Sequence, residues 1–280
     1  MATMVENKER TLTIEVNTVT TLVTDERKTR TWQWREWDGL PYLTCSLLED
    51  WSHGFFTRQY HPRPPETFVG ALHTEAEVYR VKQVHGDRVV TPTEIQREET
   101  AEADGILTES PNQAVWVASA DCTPVLIGDR ATGRAVAIHS GWRGTAKRIV
   151  PGAIDRLVNS GSELENLSIA LGPAIAGEVY QVSTEVAAEV GASLFPDEGN
   201  EGTMLERLFD LPDSPLHPDP EPGKVRLDVR SILLHQLRQL GIDDDRIAIA
   251  PFCTYQQGDR FFSYRREREK KIQWSGIVSR

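Results

Sequence analysis

Three widely separated stretches of this chain share one design, and that design limits the fold more than any other feature. Residues 78–84 (VYRVKQV) lead into His85-Gly86, residues 114–120 (AVWVASA) into Asp121-Cys122-Thr123-Pro124, and residues 134–138 (RAVAI) into His139-Ser140-Gly141. Each run is rich in β-branched or apolar residues, as a buried strand is. Each ends in a side chain able to coordinate a metal, with Gly or Pro close behind to turn the chain. Ligands of α/β sheets bind in the crevice outside the carboxyl ends of strands. The pattern therefore predicts an α/β core whose strand ends bring His85, Cys122 and His139 toward one crevice.

The remaining segments fit around such a core. Residues 11–23 alternate apolar and polar side chains and read as a strand, as do 31–37 and 42–47, with Asp38-Gly39-Leu40-Pro41 turning between the last two. Residues 60–66 form a Pro-rich loop. Residues 145–159 read as a helix that Pro151 shifts or kinks, 167–171 as a short strand, and 184–194 as an amphipathic helix. In 228–240, Ile232, Leu233, Leu237 and Leu240 follow helical spacing, with Asp228 to cap the start and Gly241 to end it. Residues 246–250 and 261–264 read as closing strands. Residues 196–223 carry six prolines and many acids, and read as a surface insertion with a helical turn near 204–209. Residues 1–10 are polar and read as flexible. No internal repeat is visible, so residues 1–280 are read as a single domain.

Composition excludes several classes of function. With 31 basic against 42 acidic residues the net charge is −11, and the basic surplus that phosphate neutralisation demands of a nucleic-acid binder is missing. No run approaches the roughly 18 consecutive apolar residues of a membrane span. Residues 1–10 have no apolar core of a signal peptide. Cys45, Cys122 and Cys253 are odd in number and far apart, which suggests no disulfide framework and a reducing, cytoplasmic setting.

Two imidazoles and a thiolate are a donor set zinc favours, and three protein ligands leave the open position of a catalytic site. Spacings of 37 and 17 residues exclude a compact zinc finger. The same spacing suits three separately buried side chains, or a Cys122 nucleophile with His85 or His139 as its base. The segment His-Ser-Gly-Trp-Arg-Gly-Thr (139–145) adds Gly141 and Gly144, where the backbone can approach a ligand, and the guanidinium of Arg143 for phosphate. Asp121 is a candidate acid/base or ligand-orienting residue, and equally a turn residue.

The blocks VKQVHGDRVV (81–90), ADGILTESPNQAVWVASADCTP (103–124) and AIHSGWRGT (137–145) resemble the laccase-domain, or polyphenol-oxidase, family, also called peptidoglycan editing factor. HGFFTR (53–58), LGPAIAGEVYQV (171–182) and CTYQQGDRFFSYRR (253–266) match further blocks in the same order, so the resemblance spans roughly residues 50–280. It implies an α/β/β/α layered single domain with mixed sheets. It also implies a zinc-dependent enzyme, with zinc preferred over copper, that phosphorolyses adenosine, inosine, guanosine and methylthioadenosine and deaminates adenosine. Purine nucleosides and phosphate are then its partners, and His85, Cys122 and His139 its metal ligands. The HxE…PCxxC signature of nucleobase deaminases is missing, which leaves Asp121 as the candidate proton carrier. Ser140 replaces the family's usual Ala, Ala176-Gly177-Glu178-Val179 replaces a Gly-Pro-Cys-Cys stretch, and the family's blocks between HGFFTR and VHG are not recognisable in 59–80. On the phosphate side this leaves Arg58 as the best candidate of that region, with Arg265 and Arg266 as others. The family's older name implies a copper oxidase, but a trinuclear copper cluster needs many imidazoles. This chain has seven in all, none paired as HxH.

Overall fold

Alternation of side chains builds two six-stranded sheets that pack face to face. The computed structural model describes residues 32–97 and 101–280; the strand expected at 11–23 and the flexible start at 1–10 lie outside them. The first sheet runs Trp32–Trp37, Leu40–Cys45, His53–Phe56, Gln273–Val278, Gln113–Ser119, Glu77–Tyr79. The second runs Ile247–Ile249, Leu167–Leu171, Thr123–Asp129, Ala135–Ser140, Gly105–Leu107, Val89–Val90. Both are mixed, each carrying parallel as well as antiparallel pairs. A small third sheet joins Gln181–Ser183, Lys224–Leu227 and Leu216–Pro218.

Successive residues of a strand point to opposite faces, and here the two faces have separate partners. In Gln113–Ser119, Val115 and Val117 meet the second sheet, while Ala114 and Trp116 pack outward with Phe56 and Phe68. In the second sheet Ala135, Ala137 and Ala170 face the first, and their small size lets the sheets approach. The branched Val136, Ile138, Ile127 and Ile169 face the helices Ile149–Asn159 and Val229–Gln239. The layers are thus helices, sheet, sheet, and an outer cover of 3₁₀ turns at Arg58–Tyr60, Pro65–Thr67 and Val69–Ala71. This is a single-domain α/β fold. No helix among the described residues is long and apolar enough to cross a membrane.

Local signals placed several elements as expected. The Asp228 carboxylate accepts from the backbone N–H of Arg230 and Ser231 to start the helix Val229–Gln239, and Gly241, with φ +86°, follows its end. Leu167–Leu171 is a strand over the expected residues. Elsewhere long-range pairing overrode the pattern. The strand expected at 78–84 stops at Tyr79, because Lys82 turns away to bond residues 101–103 instead. The side-chain amide of Gln83 then takes the place of backbone, donating to the carbonyl of Ala118 at 2.8 Å and accepting its N–H at 2.7 Å. The helix expected at 145–159 is two helices, Trp142–Ala146 and Ile149–Asn159, broken at Arg148 with φ +61°. Pro151 falls in the first turn of the second, where its missing N–H costs nothing. Residues 261–264 are no strand: Phe261 and Phe262 are buried, and Ser263 caps the short helix Tyr264–Glu267. The closing strand is Gln273–Val278, in the middle of the first sheet. The acidic segment 196–223 contains the helix Glu201–Phe209 and the strand Leu216–Pro218, and buries Met204, Leu208 and Leu216 in the main core rather than lying wholly on the surface.

Candidate metal centre

Register brings two of the expected ligands together. Thr123 pairs with Ser140 and Pro124 with His139 in the antiparallel ladder, so Cys122, one residue before Thr123, stands opposite Gly141. A Cβ on Gly141 would lie 2.7 Å from the Cys122 sulfur, closer than real contacts allow; glycine leaves the space that the sulfur occupies. Cys122 sits where the chain leaves the strand Gln113–Ser119 of the first sheet for Thr123–Asp129 of the second, and Asp121 makes that crossover with φ +92°. His139 lies within the strand Ala135–Ser140, in phase with Ala135 and Ala137. His85 comes from the loop beyond Tyr79, in the left-handed conformation with φ +59°. The three do not share the strand-end position that the sequence pattern suggested, yet they converge: one donor atom from each lies within 4.8 Å of the others. The two imidazole rings meet edge to face, 4.8 Å between centroids. Exposure grades from His85 at the surface through Cys122 to His139, which is buried.

The residue that joins these elements is Asp104, which the sequence analysis passed over although it stands in the ADG block. It is fully buried. Its Oδ1 accepts from His139 Nδ1 at 2.8 Å and from the His85 N–H at 3.0 Å. Its Oδ2 accepts from the N–H of Val84 at 3.1 Å and of Gly86 at 2.6 Å. Burial alone would raise the Asp104 carboxyl, but these donors, His139 first, hold it below its usual range. Burial would also raise the Cys122 thiol, but the charge and hydrogen bonding of His139 and His85 bring it down to about 6. Against its own burial, His139 is pushed up to about 9 by the Cys122 thiolate and Asp104. A thiolate is the form that ligates a metal.

The other expected residues are engaged to differing degrees. Asp121 is buried with both oxygens engaged, one accepting from Thr254 Oγ1 and one from the Arg265 N–H, each at 2.7 Å. Gly144 serves close packing: a Cβ there would meet the Gly86 carbonyl oxygen at 3.0 Å, so it lets the helix Trp142–Ala146 rest on the His85 loop. The Arg143 guanidinium stacks over Trp142 at 4.3 Å and has no hydrogen-bond or ion-pair partner among the described residues. Arg58 is paired with Glu267 at 2.9 Å, donates to the Gly258 carbonyl and lies over Phe262. Arg266 is held by Glu267 and by the carbonyls of Thr254, Tyr255 and Phe261. Arg265 stacks over Tyr180 and donates to the Gln181 carbonyl. Tyr180, also passed over within its family block, has its hydroxyl raised to about 12 by burial and then by the Cys122 charge, with Arg265 and Arg143 acting against them. Ser140, where the family's usual residue is Ala, is buried and hydrogen-bonded to Thr145 at 2.9 Å.

The donor set suits a metal. With Nδ1 of His139 committed to Asp104, its Nε2 is free to face the sulfur. Among the described residues, which include all seven histidines, this is the one group of three or more His, Cys, Asp or Glu side chains gathered tightly enough to hold an ion.

The family described as multi-copper polyphenol oxidoreductase laccase matches residues 65–278. The chain is 52% identical over 256 residues to a protein of Synechocystis sp. named purine nucleoside phosphorylase, an alignment covering 89% of this chain and 97% of the relative. Among solved structures, YlmD from Geobacillus stearothermophilus superposes with a TM-score of 0.72 at 21% identity, over 88% of this chain and 98% of that one. The Bacillus licheniformis hypothetical protein YfiH gives 0.70 at 23%, over 88% and 99%. At such identities the likeness is one of fold.

Proposed function

The chain belongs to the multi-copper polyphenol oxidoreductase laccase family, and from that membership we propose that it is a zinc-dependent purine nucleoside phosphorylase that also deaminates adenosine. The observation carrying this reading is the convergence of His85, Cys122 and His139 in a chain whose relative, matched over 97% of its length, is named a purine nucleoside phosphorylase. His85, Cys122 and His139 are the metal ligands in this reading. When bound, zinc would supply a Lewis acid beside these three side chains.

Phosphorolysis exchanges the C1′–N9 bond of a purine nucleoside for a C1′–O bond to phosphate. The protein must therefore hold phosphate beside the ribose and relieve the negative charge that develops on the departing purine. Arg143 is suited to the first task, since its guanidinium is steadied on Trp142 yet keeps its donors uncommitted among the described residues. Arg58 and Arg266 are a poorer match, because Glu267 and backbone carbonyls already use them. Asp121, with both oxygens occupied, is better suited to holding Thr254 and Arg265 beside Cys122 than to moving a proton. Gly141 and Gly144 serve by letting the sulfur and the His85 loop come close. Purine nucleosides and phosphate are the partners of this reading, and the cytoplasm its setting.

The family's description favours a second reading, copper oxidation, for which the same two imidazoles and thiolate would serve a single copper. Metal analysis of the purified protein, with base release from a nucleoside panel in the presence and absence of phosphate, decides between them. The expected result is near-stoichiometric zinc and phosphate-dependent release of hypoxanthine, guanine and adenine, lost in Cys122→Ala. Undiminished turnover in that variant removes the metal centre from the reaction. Bound copper with a blue absorption band selects the oxidase. Turnover that survives chelation but not iodoacetamide makes Cys122 a nucleophile.

A further inference from the structure

We propose that Asp104 is the positioning residue of this centre, one carboxylate that sets both imidazoles at once; the proposal rests on the reading of His85, Cys122 and His139 as metal ligands. Oδ1 of Asp104 is shared between the ring of one ligand, His139 Nδ1 at 2.8 Å, and the backbone of the other, His85 N at 3.0 Å. Oδ2 gathers the N–H groups on either side, Val84 and Gly86. Two consequences follow. His139 donates from Nδ1, so with a metal bound its Nε2 would be the ligating atom. The backbone of 84–86 wraps around the carboxylate with its N–H groups inward, and this holds His85 at φ +59°, a conformation costly for a residue with a Cβ.

The surroundings of Asp104 set it apart from an ordinary buried acid. It is fully buried, and its partners are three backbone N–H groups and an imidazole, with no Lys or Arg among them. A buried carboxylate whose one possible cationic partner is the imidazole of a metal ligand is costly for a fold to keep. The return here is geometric, since the carboxylate ties together ligands 54 positions apart in the chain. Neighbouring backbone bonds brace it: the His139 N–H donates to the Asp104 carbonyl at 2.7 Å, and the Asp104 N–H donates to the Arg88 carbonyl at 2.9 Å.

Asp104→Asn tests the assignment. The side chain keeps its size, but one oxygen becomes an NH2 donor that must face either two backbone N–H groups or the His139–His85 pair. Zinc affinity, measured by competition with a chromophoric chelator, is expected to weaken about 10- to 100-fold. The unfolding midpoint of the metal-free protein is measured alongside. A variant that loses stability yet binds zinc as tightly as wild type overturns the positioning role. Wild type that binds no zinc overturns the metal reading itself, and the two failures are thus told apart. If the variant does not fold, ¹⁵N–¹H correlation of the imidazoles in zinc-loaded wild type decides. A proton on Nδ1 of His139 supports the assignment, and a proton on Nε2 overturns it.

Discussion

Replacing Gly141 with alanine adds one methyl group directly against the Cys122 sulfur. The Gly141 backbone, at φ −79° and ψ 176°, is open to any residue, so alanine meets no conformational barrier there. The conflict is one of space. The new Cβ would lie 2.7 Å from the sulfur, where ordinary contact begins at 3.4 Å, and 3.5 Å from Cδ2 of His85. Either the thiolate rotates away or the 139–141 backbone withdraws by several tenths of an ångström. A misplacement approaching 1 Å costs a catalytic arrangement about 10²-fold in rate, or about 2.7 kcal/mol. Gly141→Ala is therefore expected to fold with an unfolding midpoint close to wild type, to bind zinc weakly, and to lose about 100-fold in kcat/KM for phosphorolysis. Gly152→Ala is the control: its Cβ meets nothing within 4 Å, and in the helix Ile149–Asn159 alanine is expected to stabilise by about 1 kcal/mol with activity unchanged. Wild-type zinc affinity and turnover in Gly141→Ala would refute the claim that the sulfur is seated against residue 141.

Two further expectations concern charge. Arg143→Ala should raise the KM for phosphate about 10- to 100-fold, the worth of a charge-assisted hydrogen bond, while zinc content stays the same; an unchanged phosphate KM removes Arg143 from that role. His53 lies between the Trp51 carbonyl, which accepts from Nδ1, and the Cys45 N–H, which donates to Nε2, each at 2.8 Å. Burial holds its pKa down at about 4, against an unfolded value near 6.5. The unfolded chain takes up that proton first. The stability His53 contributes is therefore full above about pH 6.5 and lost as pH falls toward 4, by roughly 2 kcal/mol at pH 5. Urea midpoints of wild type and His53→Gln across that window should diverge in slope, and parallel slopes would contradict the assignment.

What the sequence disclosed depended on whether the deciding interaction was local. The helix after Asp228 was legible because its cap, apolar stripe and terminal glycine all lie within one segment. Cys122 and His139 stood out because strands with adjacent turn residues announce themselves. The route taken by His85 did not, since Lys82 leaves the strand to pair with residues 101–103, and no periodicity encodes that partner. Asp104 was silent for a related reason: three of its four partners are backbone N–H groups, which every residue type offers. Gly141 and Gly144 were marked as unusual, but as ligand contacts; their space is taken by a neighbouring sulfur and a neighbouring carbonyl. Residues 261–264 look like a strand by composition, yet Phe261 and Phe262 are inward plugs ahead of a capped helical turn.

Cys122 hangs from the crossover between the two sheets, while His139 belongs to one sheet and His85 to a loop tied to it. Cys122 and His139 meet through the register of one antiparallel strand pair, and His85 joins them only once the 84–86 loop has closed on Asp104. Ion capture during refolding should thus lag behind collapse and serve as a clock for the last stage of maturation. Once seated, an ion would fasten the loop carrying His85 to the sheet carrying His139, so opening of that loop would require its release.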